Sequence, residues 1–336
     1  MQTDQTLFDV YRALANSEEF TVFVVPLIRF DYKQSDYLYL LYKKLYNKKG
    51  VEIKTLSYFD HWKIGMSGIK NSKIVLHYHW LECSDIRSLL GMLYKFINIF
   101  IYTSLGGKLV WTIHNKMPHD GRFIRLNFRL RKWMANRADR LHIHCKTMIP
   151  EISEFYGVSE SKFVVVPHPK FPAKQIDRKI AVEEINHLRN LGLSGDDTIY
   201  LMFGNISHYK QIDEVCRIFK TLDDNKKLLI VGPVKKGQMP YFNQIKKLSK
   251  ESSNIRLVPH FIKEENVPFY FNASDCVLFN YRDILTSGGV ELANSYDKPI
   301  IAPKLGCIKE LSGENHILFE TKDEFIEAIQ SIGETK

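Results

Sequence analysis

Short apolar runs rich in Val, Ile, Phe and Tyr recur along the whole chain, and stretches of helical periodicity separate them. In the first half they fall at Phe20–Ile28, Val51–Tyr58, Ile74–Trp80, Leu109–His114, Leu141–His144 and Phe163–Pro167. In the second half they fall at Ile199–Phe203, Lys227–Val231, Ile255–Val258, Cys276–Phe279, Pro299–Ala302 and Ile317–Phe319. Runs that stay apolar at successive positions predict strands buried on both faces, hence parallel sheets covered by helices on either side. Twelve such runs are too many for one ordinary sheet, and 336 residues are enough for two cores. The chain breaks near Pro169–Lys179, where Pro167, Pro169 and Pro172 precede a charged tail. The expected fold is α/β: two doubly wound Rossmann-like domains facing across a cleft. Residues 1–170 would form the N-terminal domain and 171–320 the C-terminal one, with a helix in 321–336 packing back across the junction. Ligands of such sheets bind beyond the carboxyl ends of the strands, here in the cleft.

That rule singles out the residues just after each run. Cys276–Phe279 leads into Tyr281-Arg-Asp-Ile-Leu-Thr-Ser-Gly-Gly-Val-Glu291. Thr286, Ser287, Gly288 and Gly289 open a helix, whose first turn offers free N–H groups and partial positive charge to a phosphate. Adjacent glycines let an anion approach the backbone. Glu291 lies where a carboxylate could accept from sugar or ribose hydroxyls. An ordinary βα connection with small residues would look the same, so spacing alone leaves both readings open. Gly204-Asn205 follows the run that ends at Phe203, and Lys210 stands just before the next helix, a place for a cation over a diphosphate. Pro259–Ile262, with Phe261, closes another run at the same rim, where a flat base could be held.

The N-terminal half has no G-x-G-x-x-G after its first run, which argues against a dinucleotide cofactor. Its third run ends His77-Tyr-His-Trp80, and alternation puts His77 and His79 on one face. As metal ligands they lack a third partner; at a strand's carboxyl end, His79 and Trp80 point instead to a cleft role. The fourth run ends His114-Asn115, and the loop beyond carries His119-Asp120. Groups able to take a proton therefore gather at one strand end, although His114 and Asn115 could equally tie down the loop.

The formal net charge of +9 suits a phosphate-bearing substrate, an anionic membrane face or nucleic acid. Without an arginine-rich tail or an RNA-binding signature, nucleic acid is disfavoured. Ser84–Leu105 is the most apolar stretch, but Lys95 and Asn98 interrupt it, and its core falls short of the roughly 20 residues a membrane span needs. It reads as a buried helix or as one lying at a membrane surface. Nearby, Arg122, Arg125, Arg129, Arg131, Lys132, Arg137 and Arg140 punctuate Phe123, Leu126, Phe128, Leu130 and Trp133. That is a basic amphipathic helix, with its charges on solvent or on anionic headgroups. Met1–Phe20 lacks a signal-peptide core, and five scattered cysteines argue for a reducing compartment, against a disulfide framework or a cysteine zinc site. The expected location is cytoplasmic, with peripheral contact to the inner face of the plasma membrane.

Taken in order, the C-terminal motifs resemble the nucleotide-sugar domain of GT-B glycosyltransferases of family 4, the glycosyl transferases group 1 type. The carrying residues are Phe203-Gly-Asn with Lys210, Leu229-Ile-Val-Gly-Pro233, Ala273-Ser-Asp-Cys-Val-Leu-Phe279, Asp283-x7-Glu291 around Thr286-Ser-Gly-Gly289, and Lys298-Pro-Ile-Ile-Ala-Pro303. The resemblance covers residues 198–320 well, and the N-terminal half loosely, through Trp111-Thr-Ile-His-Asn115 and the following Pro-His-Asp. It implies that Glu291 holds the donor ribose, and that Lys210 and the amides of Ser287, Gly288 and Gly289 hold the diphosphate. It also implies no resident metal or cofactor, the UDP- or GDP-linked sugar being a substrate. Two positions depart from the family. Asp283 replaces the first glutamate of the acidic pair, and Asn205, Ile206 and Ser207 follow Gly204 where an arginine is usual. The missing guanidinium removes a bidentate phosphate partner that lysine does not replace.

The expected activity is metal-independent hexosyl transfer to a hydroxyl of a glycan or lipid-linked acceptor in cell-surface polysaccharide synthesis. His79, Trp80, His114 and Asn115 would face the acceptor. The family implies retention, which needs no enzymic base; for inversion, His119 and Asp120 would supply one, with Asp120 taking the proton. Two alternatives stay open: a nucleotide-sugar epimerase on the same fold, and a non-catalytic relative that binds a glycan or a partner.

Overall fold

The computed structural model describes residues 6–28, 30, 36–57, 59–67, 73–81, 86–118, 123–311, 313 and 315–333. The chain divides into two units, Met1–Pro169 and Lys170–Lys336, each around its own parallel sheet.

In the first unit the strands are β1 (Phe20–Val25), β2 (Val51–Thr55), β3 (Ile74–Tyr78), β4 (Lys108–Thr112), β5 (Arg140–Ile143) and β6 (Phe163–Val165). Helices α1 (Leu7–Ala15), α2 (Tyr37–Tyr46), α3 (His61–Ser67), α4 (Ile86–Ser104), α5 (Ile124–Arg137) and α6 (Ile149–Tyr156) alternate with them. The order across the sheet is β2-β1-β3-β4-β5-β6. The chain winds outward from β1 to β2, returns to β3 and winds the other way, so its direction switches between β1 and β3. At such a point the flanking loops splay apart and leave a crevice. Edge strand β2 alternates, with Val51 and Ile53 inward and Glu52 and Lys54 exposed, as an edge facing water should.

The second unit repeats the plan. Its strands are β7 (Thr198–Phe203), β8 (Lys226–Val231), β9 (Ile255–Val258), β10 (Cys276–Leu278), β11 (Ile300–Pro303) and β12 (His316–Phe319). Its helices are α7 (Arg178–Arg189), α8 (Ile212–Phe219), α9 (Met239–Lys250), α10 (Val267–Ala273), α11 (Gly288–Ser295) and α12 (Lys322–Ser331). The order is β12-β11-β10-β7-β8-β9, so the winding reverses between β7 and β10. Successive side chains feed opposite cores. Ile199, Leu201, Leu229 and Val231 pack with Ala181, Ile185, Phe271 and Ala293 on one face. Tyr200, Met202, Leu228 and Ile230 pack with Val215, Phe219, Ile245 and Phe325 on the other. This two-sided burial is why these strands read as unbroken apolar runs.

Helix α12 belongs to the same core: Phe325, Ala328 and Ile329 are buried in it, and the Tyr200 hydroxyl donates to the Ile329 carbonyl at 2.6 Å.

Candidate active site

At the switch point of the second unit, β7 ends at Phe203 and the chain turns at Gly204, with φ +95°. Gly232, at the end of β8 with φ +139°, lies directly against that turn. A Cβ on Gly232 would collide with the Gly204 carbonyl, so only glycine fits. The two turns are laced together: Gly204 N–H donates to Val231 O at 2.9 Å, and Ile206 N–H to Pro233 O at 2.8 Å. Of the residues that stand where an arginine is usual, Ile206 is fully buried and Asn205 is exposed. Lys210 folds back under the turn. Its Nζ donates to Phe203 O at 2.9 Å and would lie 3.1 Å from a Cβ on Gly204. Burial, with no carboxylate opposing it, pulls its pKa down to about 8, so the ammonium stays charged at neutral pH.

The loop after β10 is fastened to the Lys210 turn. The Tyr281 ring stacks on Tyr209 at 5.6 Å and 17°, and Arg282 N–H donates to Tyr209 O at 2.9 Å. The Tyr281 hydroxyl meets Ser287 Oγ at 2.9 Å, and that oxygen accepts Val290 N–H at 3.2 Å, capping α11. With Ser287 buried and its hydroxyl engaged, the free first-turn groups of α11 are the amides of Gly288, which is exposed, and Gly289, which is half-buried. Thr286 lies beside them, its hydroxyl 3.5 Å from Cys307 Sγ.

Glu291 is half-buried and lines a cavity of 380 Å³ together with Lys170, Asn294, Asp297, Leu311 and His316. Burial pushes its carboxyl up, against the opposing pull of Asn294 and Lys170. Asn205, Phe261 and Asp283 are exposed on the loops after β7, β9 and β10. A larger cavity of 740 Å³, lined by Gln211, Glu214, Arg282, Lys304, Glu320 and Lys322, contains none of the expected donor residues. Its charges partly cancel, Lys304 pairing with Glu320 at 2.7 Å.

The carboxyl ends of β3, β4 and β5 in the first unit carry a different chemistry. His77, His79, His114, His142, His144 and, beyond β6, His168 gather around Tyr11, Tyr37 and Tyr42. Burial lowers the pKa of all six imidazoles, and their mutual repulsion adds to this in most of them. A carbonyl can only accept, so Val166 O takes protons from His142 Nε2 at 3.0 Å and His144 Nδ1 at 2.9 Å. Neutral His142 then accepts the Thr112 hydroxyl at Nδ1 (2.8 Å), and Thr112 Oγ1 accepts from His77 Nε2 at 2.7 Å. His144 Nε2 accepts the Tyr37 hydroxyl at 3.0 Å. Among the described residues no group of three His, Cys, Asp or Glu is arranged to hold a metal.

His79, expected at the acceptor rim, is 1% exposed, and both ring nitrogens face protein groups. Trp80, 41% exposed, lies flat on half-buried His114 at 4.6 Å and 11°. Asn115 is half-buried beside them, and its carbonyl accepts from Arg131 Nη1 at 2.7 Å.

Comparison with known families places residues 184–336 in Glycosyl transferases group 1 and residues 88–169 in Glycosyltransferase Family 4. This is a family 4-like glycosyltransferase of GT-B fold. By sequence, no curated protein matches it. Among solved structures, the enzyme is similar to the Anabaena protein HepE in complex with UDP-glucose: TM-score 0.65, 14% identity, 94% of this chain and 90% of that one. It is also similar to the UDP-forming α,α-trehalose-phosphate synthase of Burkholderia xenovorans, with TM-score 0.60, 9% identity, and coverage of 93% and 91%. Sucrose-phosphate synthase from Thermosynechococcus elongatus is similar over 78% of this chain and 64% of its own, with TM-score 0.57 and 14% identity. At these identities the likeness is one of fold.

In this glycosyltransferase the expected pair His119 and Asp120 lies outside the described residues. The sequence reading gave no role to Tyr281, which joins the Lys210 turn to the cap of α11, and took Tyr37 and Tyr42 mostly as packing, where the structure sets their hydroxyls among the histidines. One signal was present: His-x-His recurs at the ends of β3 and β5, the two strands that flank β4, as His77-Tyr-His79 and His142-Ile-His144. The apolar helix α4 is buried on one side only, through Met92, Phe96, Ile99 and Tyr102. Leu90, Leu93, Ile97, Phe100 and Ile101 are exposed along its other face. The basic helix α5 exposes Arg125, Arg129 and Lys132, but Arg131 is buried as the clamp on Asn115 and Leu81. Among the described residues no helix is long and apolar enough to cross a membrane.

Proposed function

We propose that the enzyme moves a hexosyl group from a UDP-linked sugar to a hydroxyl of a glycan or lipid-linked acceptor in cell-surface polysaccharide synthesis. One observation carries this reading: a buried, still-charged Lys210 and the open start of α11 are fastened to one another at a switch point through Tyr209 and Tyr281. A departing diphosphate gathers negative charge as the glycosidic bond breaks. An ammonium and peptide dipoles already in place stabilise that charge without reorganising, which is the part a metal ion plays in other enzymes. The reaction therefore proceeds without resident metal or cofactor. Glu291, in its cavity, receives the ribose hydroxyls, and Phe261 and Asp283 complete the donor side. The UDP and UDP-glucose bound to HepE, and the UDP-forming synthase, support uridine over guanosine.

On the acceptor side, the Trp80 face offers a platform for a sugar ring, with His114 and Asn115 beside it. For an inverting reaction Asp120, oriented by His119, would take the acceptor proton; a retaining reaction needs neither as a base. Peripheral attachment fits the exposed apolar face of α4. Arg137 lies 5.6 Å over the Phe100 ring, and Arg125 and Arg129 are exposed on α5, so an apolar strip is bordered by cations as an anionic bilayer requires.

Calorimetry with UDP, GDP and UDP-glucose tests the reading, paired with a transfer assay against lipid-linked and free glycans. Binding of UDP but not GDP, with acceptor-dependent release of UDP, is expected. Binding of neither nucleotide would leave a non-catalytic protein, and release of an altered sugar without acceptor would leave an epimerase.

A further inference from the structure

His79 is enclosed by protein, 1% exposed, and its bonds determine the state of a residue that stays accessible. Five contacts link Tyr11, Tyr42, His77, His79 and His114. Tyr11 Oη lies 3.2 Å from Tyr42 Oη, and each phenol oxygen lies 2.5 Å from His77 Nδ1. Tyr42 Oη is 2.8 Å from His79 Nε2, and His79 Nδ1 is 3.2 Å from His114 Nε2. His77 Nδ1 can only accept, because its Nε2 proton is committed to Thr112 through the chain that starts at the Val166 carbonyl.

Each phenol brings one proton and each neutral imidazole one. If His79 carries its proton on Nδ1, Tyr42 must donate to His79 Nε2, and at most three of the five contacts hold a proton. If His79 carries it on Nε2, Tyr42 accepts from His79 and keeps its own proton for His77 or Tyr11. His79 Nδ1 then accepts from His114, and four contacts are satisfied. The same count results whichever phenol donates to His77. The second pattern holds one more hydrogen bond than the first, worth about 0.5–1.5 kcal/mol net, so the four-bond pattern is preferred.

We propose that Tyr42 and His79 are positioning residues that fix His114 as the neutral Nε2–H tautomer. Its Nδ1 lone pair is thereby left for the hydroxyl of a bound sugar or acceptor. In a histidine the bond made by one ring nitrogen determines what the other can do. His114 held this way accepts a hydrogen bond, or a proton, and cannot donate one from Nδ1. Trp80 stacked on one face and Tyr37 edge-on at 5.1 Å hold the ring against rotation. Burial first, and then His144, His168 and the charge of Arg131, oppose protonation of His114, so it stays neutral through physiological pH. The proposal rests on His114 facing a substrate, as argued above for the acceptor side.

Long-range ¹H–¹⁵N spectra of histidine-labelled full-length enzyme read the tautomer directly, without substrate. Wild type is expected to show His114 protonated at Nε2 and bare at Nδ1. Tyr42→Phe and His79→Phe should each turn His114 into a tautomer mixture and lower kcat on the order of tenfold, with KM for the nucleotide sugar little changed. His79→Asn, whose side-chain oxygen can accept from His114 Nε2, should restore most of both. An Nδ1–H signal for His114 in wild type, or an unchanged signal in both phenylalanine variants when they are folded, overturns the inference. Normal transfer by His114→Ala would instead overturn the acceptor-side reading and leave the tautomer result standing.

Discussion

The two switch points share a topology and differ in their state of charge. At the β7–β10 point a single lysine is buried and remains an ammonium. At the β1–β3 point and along the strands beside it, four imidazoles are buried and two half-buried, and desolvation lowers the pKa of all six. Burial penalises the charged form in both places. The lysine starts from 10.5 and is brought to about 8, still above neutral pH. A histidine starts from 6.5, and His142 is brought to about 3. The same desolvation therefore leaves a charged ammonium on one sheet and a set of neutral hydrogen-bonding rings on the other. Residue type, more than depth of burial, decides which rim keeps a charge.

Acid should break this comparison most strongly. Below pH 6.5 the unfolded chain takes up protons that the folded histidines refuse, so the first unit loses stability as pH falls from 6.5 towards the lowered folded values. Each such histidine costs about 1.4 kcal/mol per pH unit within that window. Lys210 acts elsewhere on the scale. Its folded value lies below its unfolded one, so its contribution to the second unit declines as pH drops from 10.5 to about 8 and is level below that. Hydrogen exchange between pH 7 and 5 should show the first unit opening by several kcal/mol while the second holds. Parallel loss in both would show that the histidines are not kept neutral.

Gly232→Ala should come next. The new Cβ would collide with the Gly204 carbonyl at a φ that side chains rarely adopt. The expected cost is about 3 kcal/mol. Because Gly204 forms the roof over Lys210, UDP affinity should fall as well; calorimetry beside thermal unfolding separates the two effects. Lys210→Met, similar in volume and uncharged, should weaken UDP binding by about 2 kcal/mol, roughly thirtyfold, with little loss of stability. In wild type the same affinity should decline as pH rises through about 8, where the ammonium deprotonates. Lys210→Arg, which stays charged, should flatten that decline.

These contrasts were unevenly legible in the chain. The twelve apolar runs gave the strands because both sheet faces are covered, and a run buried on both sides needs no tertiary information to be seen. The turn at Gly204 and the helix start at Ser287–Gly289 were legible because local backbone geometry is announced by small residues. The histidine network was not, since its bonds join Tyr11, Tyr42, His77, Thr112 and His142, which lie 30 or more residues apart along the chain. His79 was placed at the right strand end, but its burial was not legible, because alternation gives the face of a residue and not its depth. The half-exposed face of α4 was hidden for a similar reason: apolar residues all round a helix do not reveal which side lacks a neighbour.

The smallest expected effect tests how the phosphate rim is held together. The Ser287 hydroxyl has two partners, the Val290 amide it caps and the Tyr281 hydroxyl that ties it to the Lys210 turn. Ser287→Ala removes both and should cost about 1 kcal/mol. Tyr281→Phe removes one and should cost about 1 kcal/mol or less, because Ser287 keeps its cap. The two changes share one hydrogen bond, so the double variant should lose less than the two single losses combined, with a coupling of about 0.5 kcal/mol or more. In a unit of this size each kcal/mol moves its melting point by about 2–4 °C, so a double-mutant cycle by thermal unfolding resolves the coupling. Tyr281→Phe should also reduce UDP affinity about twofold while leaving the cap intact, since Tyr281 is what aligns α11 with Lys210. Strict additivity, with unaltered UDP binding, would mean that the lysine and the helix start are positioned independently, and the second rim would then be two separate features instead of one anion site.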